Sequence, residues 1–206
     1  MILVMYFSSA VPKECEGKMR VSREKAAVNR ERIMQIASGM FREAGFDGVG
    51  VDAIMSRAGL THGGFYGHFK SKDDLAAEAL TRALTQNQEW QRRFANLENL
   101  VSDYLSERHR DDRANGCAVV ALGADIARQG SGVRRGLTAY VRAELDRYAR
   151  FFRDRTAASR RRRAIATLSG LIGALTLARA VDDPTLSNEI LAAARDAFGR
   201  APPRAG

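Results

Sequence analysis

The sequence predicts an all-α protein of about nine helices, and three observations carry that reading. Apolar residues recur at i, i+3, i+4 and i+7 through most of the chain, whereas no alternating run is long enough to make a strand. Alanine, leucine and arginine, all good helix formers, abound, and the 206 residues include only 4 prolines. Glycines and short polar residues fall between the periodic stretches, where helices must stop and start. The length allows one large domain or two small ones, and 45% hydrophobic with 28% charged residues is globular composition.

Residues 1–22 read as a flexible tail, with Met19 a more natural start than Met1. Ile33, Ile36, Ala37, Met40, Phe41 and Ala44 form one face of a first helix, which Gly45 ends where a left-handed residue is cheap. Val51, Ile54, Met55 and Ala58 mark a short second helix, broken by Gly59. The Thr61 hydroxyl is placed to cap a third helix over 62–69. Ser71-Lys72-Asp73-Asp74 resembles a capping box with aspartate in the fourth place, opening a long helix toward Phe94. Further helices are predicted over 97–106, 117–128, 133–155, 160–181 and 184–198. Pro184 suits the first turn of the last one, with Asp182 or Asp183 as its cap.

The net charge of +9 suggests a polyanionic partner. Its distribution is less pointed: residues 1–95 hold 14 basic and 11 acidic groups, residues 96–206 hold 19 and 13. Arg160-Arg161-Arg162-Arg163 reads either as a solvated helix start or as a nucleic-acid patch. Two distant cysteines, Cys15 and Cys117, offer neither a disulfide scaffold nor a zinc site, so no metal or cofactor is expected. The longest apolar helical stretch, 164–178, is short of the roughly 20 residues that span a membrane, and a cytoplasmic setting is expected. The three histidines, His62, His68 and His109, join no recognisable catalytic motif, so no catalytic residue is expected.

Two short helices joined by a glycine turn behind a longer helix can present a helix end to the major groove. The segment from Val51 to Leu75, with Gly59, Thr61, the aromatic residues Phe65, Tyr66 and Phe69, and Lys72 in register, resembles the signature of the tetracycline-repressor (TetR) family of bacterial transcription regulators. The close match covers roughly residues 26–75. The resemblance implies a helix-turn-helix DNA-binding domain over 23–71, a helical ligand-binding and dimerisation domain over 72–200, and a short tail over 201–206. Phe65 and Phe69, four apart, read as anchors onto the first helix. Tyr66, His68 and Lys72 are expected on phosphates, with packing against the first helix the other reading of His68. Base reading falls to Thr61, His62, Gly63 and Gly64, with Gly67 a turn later. The glycines imply either close backbone approach to DNA or tolerance under tertiary support.

In the second half, Leu168, Leu171, Ile172 and Leu175 make a stripe on the eighth helix, matched by Leu186, Ile190, Leu191, Ala194 and Phe198 on the ninth. These suit a symmetric four-helix homodimer interface or the chain's own core. A small-molecule inducer pocket is expected among the fourth to eighth helices, with Trp90, Phe94, Tyr104, Tyr140 and Phe151 available as lining. With Asn115 as cap, Cys117 falls in a helical first turn that favours thiolate; it reads as inert packing, as a sensor of oxidants or electrophiles, or as a contact to a noncovalent ligand. The expected partners are therefore a double-stranded DNA operator, a second copy of the chain and an inducer, with no membrane. The competing reading is a ligand-independent helical DNA-coating or scaffold protein that uses the arginine run.

Overall fold

A computed structural model describes the backbone of residues 13–199 and the side chains of residues 23–199. The described residues form ten helices and no strand: α1 (Lys13–Ala44), α2 (Val51–Arg57), a 3-10 helix (His62–Gly67), α3 (Lys72–Gln91), α4 (Leu97–Tyr104), α5 (Glu107–Asp111), α6 (Ala118–Arg128), α7 (Ser131–Ala149), α8 (Ala157–Ala180) and α9 (Pro184–Gly199). Of the tail expected over 1–22, residues 1–12 lie outside the described residues and 13–22 are already helical backbone of α1. The side chain of Cys15 and the tail 201–206 also lie outside them.

Termini follow local chemistry. Gly45 and Gly59 adopt φ of +76° and +69°, the left-handed conformation that ends α1 and breaks the chain after α2. Ser71 Oγ accepts the Asp74 N–H at 3.1 Å, as the capping box predicts, while Asp74 Oδ2 takes the N–H of Lys70 at 3.2 Å. Asp183 Oδ1 accepts the N–H groups of Thr185 and Leu186, with Pro184 opening α9. Thr61 occupies the cap position of its helix, but its hydroxyl makes no capping bond.

Other boundaries differ from the sequence reading. The third helix is a 3-10 turn, consistent with three glycines among its six residues, a composition that cannot sustain an α-helix. The helix predicted over 97–106 is α4, ending at Tyr104, and a five-residue helix the sequence reading did not include, α5, follows it, capped by the Ser106 Oγ, which accepts the His109 N–H at 3.2 Å. The helix predicted over 133–155 ends at Ala149, and Thr156 restarts the chain as the cap of α8. In the connecting loop Asp154 collects Ser159 Oγ at 2.9 Å and Arg163 at 3.1 Å through its carboxylate, and Arg160 at 2.7 Å through its carbonyl.

Two cores result. The first joins α1, α2, the 3-10 helix and α3 to Ala118, Leu122 and Ile126 of α6. The second gathers α4, α7, α8 and α9 around Tyr104, Tyr148 and Leu171. α3 and α6 therefore bind the N-terminal helices into the rest of the chain, with no break in packing at residues 71–72.

The stripe offered as a dimer interface is largely internal. Leu168, Leu171, Leu175 and Leu191 are buried in the chain's own second core, and Ile172, Ile190 and Phe198 are half-buried against it. The Phe198 ring lies over Gly170 so closely that a Cβ there would collide with it. Of the nine residues named for the interface, only Leu186 is exposed; the outer face of α8 instead shows Ile165 and Leu177.

Candidate functional site

The outer surface of the N-terminal unit is built on two buried rings. Phe65 and Phe69 stack with centroids 5.8 Å apart, and both are buried. Arg30 of α1 lies 4.6 Å above the Phe69 ring and forms a bidentate ion pair with Glu78 of α3 at 2.5 and 2.6 Å. The short helix is thus clamped between α1 and α3. This anchoring leaves Thr61, His62, Gly63, Gly64, Tyr66 and Gly67 exposed together, with Tyr66 67% accessible.

His68 and Lys72 are half-buried at the edge of the same surface, at the end of the 3-10 helix and the first turn of α3. The His62 ring contacts Asp52 of α2 through Nδ1 and meets the edge of Tyr66 with centroids 6.1 Å apart. A Cβ added to Gly63 or Gly67 would meet nothing within 4 Å, and one on Gly64 only ordinary contacts. No packing inside the protein requires these glycines. All eight sequence-predicted interface residues therefore share one surface, and Asp52 joins them as a group the sequence reading missed.

A cavity of about 400 Å³ lies in the second half, within the ordinary range for small-molecule sites. It is bounded by the end of α3, by Tyr104 of α4, by α5 and by the loop 112–117. In the order predicted from the sequence these are the fourth and fifth helices and the start of the sixth, so the cavity occupies one end of the region expected, and no α7 or α8 residue lines it. Trp90, Tyr104 and Cys117 line the cavity as predicted; Phe94, Tyr140 and Phe151 do not. Phe94 packs edge-on against Trp90 at 5.2 Å. The Tyr140 hydroxyl receives Gln91 Nε2 at 3.3 Å, and Phe151 sits beneath Arg147, which bonds buried Glu144 at 2.8 Å. Those two aromatic residues serve a structural polar network.

His109 and Asn87 are lining residues that sequence reasoning missed. For Asn87 there was a signal: Leu80, Ala83, Leu84, Asn87 and Gln91 form one buried stripe of α3, and two amides, Asn87 and Gln91, end its apolar run. His109 offered none, since its helix has only five residues. Its Nδ1 bonds the Tyr104 carbonyl at 2.7 Å, and its Nε2 receives the Cys117 N–H at 3.0 Å. A carbonyl only accepts and an amide N–H only donates, so the ring is fixed with its proton on Nδ1.

Cys117 is the cap residue of α6, not a member of its first turn. Asn115, expected as the cap, is held in the preceding turn by Asp112 Oδ1 at 3.2 and 3.0 Å. The Cys117 Sγ makes no capping bond to the free N–H groups of the first turn of α6. The thiol is buried, and the neighbouring Gly116 leaves no room for a side chain against Arg179 Nη2, 2.6 Å from where a Cβ would stand.

Burial lowers the His109 pKa, because a second proton would be desolvated and would face the Cys117 N–H. Its contribution to stability is complete above the unfolded value of about 6.5 and declines as pH falls toward the depressed folded value, by up to about 1.4 kcal/mol per pH unit. Melting temperature is expected to fall as pH drops from 6.5 to 5, with part of that slope removed in His109→Gln. An identical slope in both proteins would contradict the assignment.

Two contacts tie the N-terminal unit to the loop 112–117 and to α6. Arg42 of α1, buried and lowered in pKa by that burial, donates Nε to the Ala114 carbonyl at 2.5 Å. The Phe46 N–H, just past Gly45, meets Asp125 Oδ2 of α6 at 3.4 Å. Among the described residues no cluster of three or more His, Cys, Asp or Glu side chains is arranged to hold a metal, and no helix is long and apolar enough to cross a membrane.

Comparison with known proteins bears on both halves. Residues 33–79 match the family described as bacterial regulatory proteins, tetR family. An HTH-type transcriptional regulator of Staphylococcus aureus is 37% identical over 62 residues, 30% of this chain and 34% of the relative, so the match spans about a third of that protein's length. The fold is similar to a TetR-family transcriptional regulator from Cytophaga hutchinsonii, with TM-score 0.70, 16% identity, and coverage of 84% of this chain and 94% of the other. It is also similar to E. coli NemR in its reduced form, with TM-score 0.64, 18% identity, and coverage of 82% and 94%. The sequence match to the tetR family of bacterial regulatory proteins falls on the surface-forming helices, residues 33–79, and the structural likeness extends the shared fold across the remainder.

Proposed function

We propose that the chain is a dimeric, cytoplasmic transcriptional regulator that binds a palindromic operator and acts as a repressor released by a small molecule. The observation that carries this reading is the short helix His62–Gly67, anchored by Phe65 and Phe69 with its outer residues exposed. Glycines that no internal packing requires support close approach of this backbone to DNA. Tyr66, His68 and Lys72 supply phosphate contacts; Thr61, His62, Gly63, Gly64 and Gly67 face the bases. Asp52 holds His62 by Nδ1 and so leaves Nε2 for a base edge.

Dimerisation uses the exposed face rather than the buried stripe: Ile165, Ala166 and Leu177 of α8 beside Leu186, Ala193 and Ala197 of α9. Two copies would set their short helices about 34 Å apart or somewhat more, in successive major grooves. Occupation of the cavity reaches DNA through the loop 112–117 that borders it, where Arg42 of α1 holds the Ala114 carbonyl, with Phe46 on Asp125 a second tie between the N-terminal unit and α6. Cys117 lines the same cavity, and a covalent route through it is the second reading. If it operates, a quinone releases DNA from the wild type and not from Cys117→Ser. Equal release from both, or from neither, leaves the noncovalent route.

The arginine run gives little support to a DNA-coating scaffold, because Arg161 pairs with Asp146, and Arg160 and Arg163 are engaged by Asp154. Binding that survives excess competitor DNA on one palindrome fits the regulator; salt-sensitive binding to every sequence fits the scaffold. On a selected operator, Tyr66→Phe and Lys72→Ala are expected to weaken all sites alike, by about 1 kcal/mol each, whereas His62→Ala changes base preference. A His62 variant with intact preferences would remove that residue from base reading.

A further inference from the structure

We propose that Asp52 and His62 form a proton-linked base reader, in which a doubly protonated His62 donates its Nε2–H to a guanine in each half-site. This rests on the reading of the helix His62–Gly67 as the base-contacting element, and names the base and the protonation state that element selects. The two side chains come from different elements. Asp52 lies in the first turn of α2 and His62 opens the 3-10 helix, and they meet through Oδ1 of the carboxylate and Nδ1 of the ring. The ring also meets Tyr66 edge-on, so it is held from two sides. Both side chains are open to a partner, 53% exposed for His62 and 82% for Asp52. Gly63 and Gly64, next to His62, carry no side chain to keep the helix away from a groove.

The chemistry of the pair narrows what Nε2 can read. A carboxylate only accepts hydrogen bonds, so the Nδ1 that faces Asp52 carries a proton, and only the state of Nε2 is left to vary. In the neutral ring Nε2 accepts, and it would match the amino group of adenine or cytosine. In the imidazolium it donates, and it matches O6 and N7 of guanine, whereas adenine sets an amino donor beside its N7. Charge selects the imidazolium. An unpaired carboxylate at Asp52, on the surface that also carries Tyr66, His68 and Lys72, would be repelled by phosphates, but beside an imidazolium the pair is neutral. Asp52 and the DNA both favour the second proton, so binding takes one up at each half-site.

Neighbouring charges do not replace that proton. The other charged side chain of α2, Arg57, lies at the far end of that helix, and the other titratable group of the 3-10 helix is Tyr66. From α1, Arg32 reaches the Ala58 carbonyl and Arg30 is paired with Glu78. Lys72, Asp73 and Asp74 open α3, the last bonded to the Lys70 N–H. His68, at the opposite end of the short helix, is a second imidazole on the surface. On a phosphate its titration changes affinity for all sequences alike, whereas titration of His62 changes the preference at one base pair.

The full chain selects duplexes from a random library at about pH 6 and about pH 8, on either side of the range in which imidazoles change charge. The base pair read by His62 is the one whose preference is lost in His62→Ala. Guanine is expected there at the lower pH, and its preference over adenine should fall at least about tenfold at the higher pH, the factor that one charge-assisted hydrogen bond supplies. His62→Arg, whose charge does not titrate, should keep guanine at both pH values. Asp52→Asn retains an acceptor for Nδ1 without the charge. Its guanine preference at the lower pH should weaken about severalfold, while the melting temperature of a variant at so exposed a position stays near that of the wild type.

A base other than guanine at that position at the lower pH overturns the inference. So does a guanine preference that is the same at both pH values in the wild type, or one that Asp52→Asn leaves unchanged. A selected palindrome whose preferences survive His62→Ala removes His62 from base reading and overturns the inference alone. Recovery of no preferred sequence overturns the regulator reading and the inference together.

Discussion

A Phe65→Ala variant is expected to lose binding to every DNA sequence while keeping nearly all its helical content. Phe65 is 1% exposed, stacks on Phe69 and meets Tyr66 edge-on at 5.3 Å. Truncating a buried phenyl ring costs about 3–5 kcal/mol. The six-residue helix that carries it includes three glycines and has no independent stability to absorb the loss. The helix should detach from α1 and α3, and the exposed set around Tyr66 should disperse with it. Circular dichroism and operator gel shifts check the two halves of the expectation. Operator affinity equal to wild type would mean that this helix is not the DNA-contacting element.

A Leu177→Arg variant is expected to be monomeric at micromolar concentration and to bind the operator about a hundredfold more weakly or worse, because linked half-site binding adds a factor of that order. Leu177 is 56% exposed, so the substitution removes little packing from the single chain, and the melting of its own core should barely move. Symmetry places two such arginines against apolar or like-charged surroundings at the interface. By contrast Leu171→Arg buries an unpaired charge at a fully buried position and should unfold the chain. Light scattering and a thermal melt separate the two variants. A Leu177→Arg dimer with normal operator affinity would relocate the interface.

That contrast shows what periodicity in a sequence does and does not settle. The stripe Leu168, Leu171 and Leu175 says that one helix face is covered, but a leucine covered by α4, α7 and α9 has the same spacing as one covered by a second copy. Helix ends were clearer wherever a single residue determines the backbone, as at Gly45, Gly59, Ser71 and Asp183. They were unclear where caps compete: Asp112 draws Asn115 into a turn and leaves Cys117 as the cap of α6, and Ser106 caps a five-residue helix too short for periodicity to announce.

The exposed set around Tyr66 was readable as one surface because its residues lie within twelve positions of one another, so local spacing brings them together. The cavity was readable only in part. Trp90, Tyr104 and Cys117 were visible as aromatic or reactive types, but their meeting with Asn87 and His109 depends on how α3 packs beside α4 and α5. Tyr140 and Phe151 have the same chemistry as the true lining, yet half-buried Arg147 and buried Gln91 claim their surroundings.

The central claim is that two copies of the chain read one palindrome through the helices His62–Gly67. Selection of bound duplexes from a random library, with the mass of the recovered complex measured on the winning sequence, tests it most directly. The account predicts an inverted repeat whose half-site centres lie about one helical turn or somewhat more apart, occupied by an even number of chains in symmetric pairs. Recovery of all sequences alike, or a single chain bound to a site without symmetry, would contradict it.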